Sequence, residues 1–252
     1  MQDMSRRDFT RGALASVLTY SVLETLFDND AFADEIKPTT ARWISELNEI
    51  SADVTSEKLK QILWQKKAEE LFARVDLPDL LRLVDFERLT KNVKTREKGE
   101  TSLRFNFQQI DGVPTRFVFG RQIFALKKGR SVIPHGHNNM ATAFLVLKGD
   151  LQGRHYDRIE DEPKHMIIRP TIDRRFVAGE CSTVSDYRDN IHWFTALSDE
   201  AYIFNVHILG LKRPGELRRT GRVYVDPQGE KLKGGLIRAP RAGYSEIKDK
   251  YG

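Results

Sequence analysis

The spacing of apolar and polar positions changes character once along the chain, near residue 100. Leu59, Ile62, Leu63, Leu71, Phe72 and Val75 recur at helical intervals with Lys and Glu between them. This predicts helices through residues 38–95. Thr55 or Ser56 is placed to cap the main helix and Asp76-Leu77-Pro78 to end it. A second helix is expected from about Asp79 to Thr90, presenting Leu80, Leu81, Val84 and Leu89. From Ser102 the period falls to two: Leu103, Phe105 and Phe107 alternate with polar residues, as do Phe117 and Phe119. Short β-like runs follow at about 122–126, 142–148, 150–158, 165–169, 182–187, 191–197 and 201–209. Turn-forming pairs such as Asp111-Gly112, Lys128-Gly129 and Lys148-Gly149 separate them. Many short strands predict a sandwich or small barrel, with the helices bracing one side. After Lys212, Gly, Pro and charged residues predict an extended tail over the barrel.

The first residues follow another logic. Ser5-Arg6-Arg7-Asp8-Phe9-Thr10-Arg11 sets paired arginines before an aromatic residue, an apolar run extends from Gly12 to Phe27, and Ala31-Phe32-Ala33 supplies small residues for cleavage. This layout resembles a twin-arginine export signal over residues 1–33. It implies the twin-arginine machinery as a partner and a periplasmic or extracellular destination. The run is short for a membrane span and contains Glu24, so cleavage is expected over a retained N-terminal anchor. Removing residues 1–33 takes three bases and five acids from the 41 and 36 of the whole chain. The remainder carries 38 and 31, a net charge of +7. Acids are interspersed among the bases, which argues against nucleic-acid binding. Cys181 is the only cysteine, so an intrachain disulfide is excluded.

All six histidines fall between positions 135 and 207, inside the β region. His135-Gly136-His137 is the centre of interest, because residues i and i+2 of a strand share a face and two imidazoles there can share a metal ion. Gly129 stands six residues before His135, and Gly149 twelve after His137. This spacing resembles the first cupin motif, G-x5-H-x-H-x4-E-x6-G. Gly179 and His192 hold the glycine and histidine of a looser second motif. The resemblance covers about residues 102–210. It implies a mainly β fold, a cupin barrel (double-stranded β-helix, or jelly roll) with an N-terminal helical segment. The expected layout is a signal at 1–33, helices at 34–100, a barrel at 101–211 and a tail at 212–252. Cupins also pair through barrel edges, so a homodimer is compatible.

The motif's glutamate falls on Thr142, a poor ligand, so the expected centre is His135, His137 and His192 around one divalent ion. Such a centre suits Fe(II) and O2 chemistry, with Zn, Ni, Cu and Mn as alternatives. Three neutral ligands leave the ion's charge uncompensated, which favours a small anionic, chelating substrate. A three-histidine cupin resembles the cysteine (thiol) dioxygenase family. Residues 142–151 are similar to the segment after that family's paired histidines, and Ser198–His207 to its later strand bearing a further His. The resemblance implies a catalytic role for His207 as proton relay. Leu209 stands where the family has a tyrosine, so Tyr156, Tyr187 or Tyr202 would have to replace that phenol. Arg116 and Arg121, ahead of the metal motif, are candidates to clamp a substrate carboxylate. Arg169, Arg174 and Arg175 are expected in a loop, and His155 and His165 at the surface or in loops. A non-redox metallo-cupin (lyase or isomerase) and a ligand-binding cupin without turnover are the competing readings.

Overall fold

The computed structural model describes residues 37–109, 111–211 and 220–252. The expected export signal, residues 1–33, lies outside the described residues. Among those described, no helix is long and apolar enough to cross a membrane.

Among the described residues, four helices precede the barrel. Helix α1 (Pro38–Thr55) begins on a proline whose missing N–H costs the first turn nothing. It buries Trp43, Ile44, Leu47, Ile50 and Val54 along one face. Helix α2 (Gln61–Phe72) buries Trp64, Ala68, Leu71 and Phe72, and the Trp43 indole donates to the Leu71 carbonyl at 2.7 Å. The expected inward face of α2 is corrected here: Ile62 and Leu63 are about half exposed. Nor do Thr55 and Ser56 cap α2. Their hydroxyls reach back to the carbonyls of Ser51 and Ala52, and Glu57 then turns the chain at φ 63°. Asp76-Leu77-Pro78 opens a helix: the Asp76 carboxylate accepts from the Asp79 amide and caps α3 (Leu77–Leu83). Asp85, at φ 53°, separates α3 from α4 (Phe86–Thr90), so the single second helix is in fact two.

Twelve strands follow among the described residues. They are β1 (Thr101–Leu103), β2 (Gly120–Lys127), β3 (Ser131–Asn138), β4 (Met140–Lys148), β5 (Leu151–Asp161), β6 (His165–Phe176), β7 (Cys181–Val184), β8 (Ile191–Ala196), β9 (Glu200–Leu209), β10 (Gly221–Tyr224), β11 (Glu230–Lys231) and β12 (Ile237–Pro240). One antiparallel sheet has the order β1-β2-β9-β4-β7, the other β10-β3-β8-β5-β6-β12-β11. The central eight strands interleave between the sheets as β2-β9-β4-β7 and β3-β8-β5-β6, the jelly-roll arrangement of a cupin-type barrel. The filling between them comes from both sheets: Phe124, Phe144, Val146 and Ile203 from one, Val132, Leu151, Phe176 and Phe194 from the other.

Three sequence expectations change here. Residues 104–109 and 117–119 are not strands. Phe105, Phe107, Phe117 and Phe119 instead stack on one another at centroid distances of 5.1–5.3 Å. The loop expected around Arg169, Pro170 and Asp173 is part of β6, where Pro170 sits beside an irregularity in the β5 pairing, a place that tolerates the lost donor. Residues 220–252 are largely regular: β10 pairs with β3, β12 with β6, and helix α5 (Tyr244–Tyr251) packs Ile247 and Tyr251 against Ile133.

Gly149 and Gly129 separate two costs. Both hold φ near 75°, but a Cβ on Gly149 would lie 2.2 Å from the Glu200 carbonyl, whereas one on Gly129 meets open space. Gly129→Ala should lose about 1–2 kcal/mol from the left-handed backbone. Gly149→Ala should lose clearly more; equal urea midpoints for the two variants would refute the packing argument.

Candidate metal centre

His135 and His137 reach the barrel interior through an irregular strand. Val132 pairs with Phe194, and His135 with His192, so β3 spends three residues where β8 spends two. The extra residue near Pro134 is a β-bulge, and it returns His135 to the inner face that Val132 occupies. His137 follows on the same face. Between them, Gly136 makes room for a neighbour: a Cβ there would lie 2.8 Å from the Asn190 side-chain oxygen. Asn190 uses its Nδ2 to donate to the carbonyls of His137 and Ser185, both at 2.8 Å. It thereby ties a candidate ligand strand to the loop before β8. That loop is braced by α2, whose Gln61 exchanges two hydrogen bonds of 3.0 Å with Asp186 and whose Gln65 accepts from the Ser185 hydroxyl at 2.7 Å. Asp186 also accepts from the Asn139 amide, just past the end of β3.

The three Nε2 atoms form a triangle with sides of 3.2 Å (His135–His137), 3.1 Å (His135–His192) and 3.3 Å (His137–His192). All three rings are buried. The His135 Nδ1 lies 2.8 Å from the Ile133 carbonyl. A carbonyl can only accept, so Nδ1 carries the proton and Nε2 presents a lone pair. The Thr142 hydroxyl lies 3.2 Å from the His137 Nδ1 and holds that ring by a hydrogen bond. Thr142 therefore supports a ligand where the cupin motif would supply one. Burial holds His135 and His192 well below the ordinary imidazole pKa, and brings His137 to about 3, with the Arg222 guanidinium adding to the effect on each. Three neutral imidazoles aimed at one point about 2 Å from each nitrogen fit a single divalent ion.

A cavity of about 290 Å3 opens above this triangle. Phe124, Phe144 and Met140 supply apolar wall, and Gln122, Asn205, His207 and Arg222 supply polar groups. Among the described residues no Asp or Glu lines it. His207 pairs across the sheet with Gly120 and Thr142. Its ring occupies the space a Gly120 side chain would need, since a Cβ there would lie 2.2 Å from the His207 Nε2. Asn205 Nδ2 is 3.2 Å from His207 Nδ1. Burial and the Arg222 charge lower the His207 pKa.

The proposed arginines are not in this cavity. Arg116 is exposed on the loop before β2. Arg121 alternates with Gln122 on β2, so it faces away from the cavity, its guanidinium 4.6 Å from the Phe117 ring centroid and within reach of Asn106. Arg222, on β10 in register with His137, takes the place expected of them. The alternation in Arg222-Val-Tyr-Val225 was the one signal for it. Among the described residues Arg222 has no ion-pair partner. His155 is corrected from the surface to the fully buried interior, while His165 is half-buried beside Glu162 at 3.6 Å. No tyrosine lines the cavity among the described residues: Tyr156 packs with Met166 and Ile168, Tyr187 is exposed, and Tyr202 packs on Phe86.

No family model matches the sequence, and no curated protein matches it. Solved structures are similar at low identity. Procruciferin, an 11S globulin from Brassica napus, matches at 9% identity and TM-score 0.29 over 38% of this chain. A cupin superfamily protein from Desulfitobacterium hafniense matches at 15% identity and TM-score 0.30 over 46% of this chain and 84% of its own. A protein with a double-stranded β-helix domain from Klebsiella pneumoniae matches at 11% and 0.34 over 53% and 85%. The chain spans only 22% of the length of the globulin.

The buried histidines make stability depend on pH. His137 and His155 titrate near 3 in the folded protein and near 6.5 when unfolded, the cause in both being first of all burial. Between these values the unfolded chain binds protons that the folded chain refuses. Stability of the metal-free protein is therefore full above about pH 6.5 and falls as the pH drops through that window. A Tm of metal-free protein that stays level from about pH 7 to 5 would contradict this.

Proposed function

We propose that this chain is an exported metal-dependent cupin, a non-haem iron dioxygenase acting on a small anionic substrate, with thiols such as cysteine the first to test. The observation that carries the reading is the triangle of three neutral imidazoles beneath a cavity that no carboxylate lines among the described residues. A bound Fe(II) ion would supply Lewis acidity and one-electron chemistry with O2. His135, His137 and His192 would hold it. Their neutrality leaves a double positive charge, and Arg222, without an ion-pair partner among the described residues, adds a third. A small anion bound there relieves both, and Arg222 can take a carboxylate through two parallel hydrogen bonds. His207, held by Asn205, can carry a proton to or from the bound substrate. Phe124 and Phe144 give the cavity an apolar wall on the barrel side. The arginine pair and apolar run at the N-terminus support export, with a periplasmic or extracellular site of action. A homodimer joined through barrel edges is compatible with the reading.

A second reading is a non-redox lyase or isomerase using Zn or another divalent ion, with His207 as general base. The missing phenol favours it, since Leu209 stands at the cavity where the thiol dioxygenases have a tyrosine.

Metal content after anaerobic purification, with oxygen uptake over a panel of small thiols and carboxylates, tests the proposal. About one iron per chain and substrate-dependent uptake are expected. Bound zinc and no uptake across the panel would overturn the dioxygenase in favour of the second reading, and no bound metal would overturn both. Arg222→Met should raise KM for an anionic substrate at least tenfold, worth about 1.4 kcal/mol, with a smaller change in kcat. The same change in Arg121 should leave KM unaltered. Replacing Arg6 and Arg7 together by Lys should stop export of a fused reporter, and unaltered export would refute the twin-arginine assignment.

A further inference from the structure

Behind the metal centre the barrel holds a fourth imidazole that the proposed chemistry does not use. Strand β8 lies between β3 and β5, and His192 pairs with His135 on one side and with His155 on the other. Three imidazoles thus stand in one row across three adjacent strands. His155 is fully buried, and its ring centroid is 6.3 Å from that of His192. Aromatic packing fixes it: the ring stacks on Phe176 at 16° and meets the Phe194 ring edge-on, 5.4 Å away at 87°. Gly153 makes that packing possible, since a Cβ there would lie 2.5 Å from the Phe176 ring.

The hydrogen bonds of this row are incomplete in a complementary way. His155 Nε2 lies 3.4 Å from the Ser182 hydroxyl. The Nδ1 atoms of both His155 and His192 are buried without a partner. With Nε2 of His192 on a metal ion, the remaining proton of that ring sits on Nδ1, and leaving such a donor unpaired costs about 1–3 kcal/mol. A neutral His155 that donates from Nε2 to Ser182 has a bare acceptor at Nδ1. Burial and the charges of Arg174 and Arg188 keep His155 neutral. One donor and one acceptor, in cross-strand neighbours beyond direct reach, fit a single bridging water.

We propose that His155 is a positioning residue for the metal ion: through one buried water it accepts the Nδ1–H of ligand His192, and it hands the hydrogen bond on to Ser182. The inference rests on the three-histidine metal site. Ser182 in turn lines a second cavity of about 320 Å3, with Thr183 and Arg188. Such supports fix the orientation and basicity of a ligating ring, and their loss costs about 10–100-fold in metal affinity.

The test uses the full chain without its signal, stripped of metal and titrated with Co(II) against a chelator, with the visible spectrum of the bound ion recorded. His155→Phe keeps a ring in the row and removes the acceptor. It should weaken Co(II) binding about 10–100-fold and shift the spectrum. His155→Gln, which keeps an acceptor, should recover part of both, and Ser182→Ala should weaken binding by a smaller factor. A folded His155→Phe that binds within twofold of the parent with an unaltered spectrum would overturn the proposal. If that variant does not fold, unaltered affinity and spectrum in both His155→Gln and Ser182→Ala would overturn it instead. Failure of the parent to bind Co(II) would overturn the metal site itself, a result distinguishable from the others.

Discussion

Three imidazole Nε2 atoms held 3.1–3.3 Å apart in a buried site are the constraint on which the rest of this structure depends. Burial keeps the three rings neutral. A cation turns the same arrangement into a binding site. The surrounding features can be read as the means of holding it. The bulge in β3 puts His135 on the inner face, Gly136 admits Asn190, and Asn190 locks the His137 carbonyl. The glutamines of α2 then fix the loop that carries Asn190. The helical segment is thus a brace with a specific load, because it sets the position of the strand that bears the third histidine.

The same neutrality shapes what the cavity can accept. In the cupin motif a glutamate would offset half of a divalent charge, and here Thr142 stands at that position and supports His137 from behind. Arg222 adds charge of the same sign as the ion, and no acidic side chain among the described residues faces it across the cavity. On the proposed reading, a chelating anion would neutralise the ion and Arg222 together, and selectivity for anions would follow from that charge count.

Local information was legible in the sequence, and information that depends on distant pairing was not. The interval between His135 and His137 and the flanking glycines are properties of a strand and its turns, so they read directly. The inner face of α2 was misread because Ile62 and Leu63 satisfy helical periodicity as well as Trp64 and Ala68 do. Only the contacts with α1 and the barrel decide between the two stripes. Arg222 was missed because it reaches the cavity by pairing with β3, more than eighty residues earlier in the chain, and nothing local marks that pairing. Arg121 was misassigned by one step of the alternation: Gln122 faces the cavity, so its neighbour cannot. His155 looked like a surface residue in a polar run, Arg154-His155-Tyr156-Asp157. Its burial follows from Gly153 and the two phenylalanines that fill the space beside it.

Metal binding and folding would be coupled here, because an ion that binds only the folded chain stabilises it by mass action. The coupling gives the proposed export route a physical rationale. The twin-arginine pathway carries folded proteins, so a chain whose barrel is completed by its ion would cross with the ion already inside. The ion's identity would then be set by the compartment in which the chain folds. An imidazole-only site discriminates poorly among Fe, Ni, Cu and Zn by ligand type alone. The compartment of folding would thus supply a selectivity that the three histidines do not.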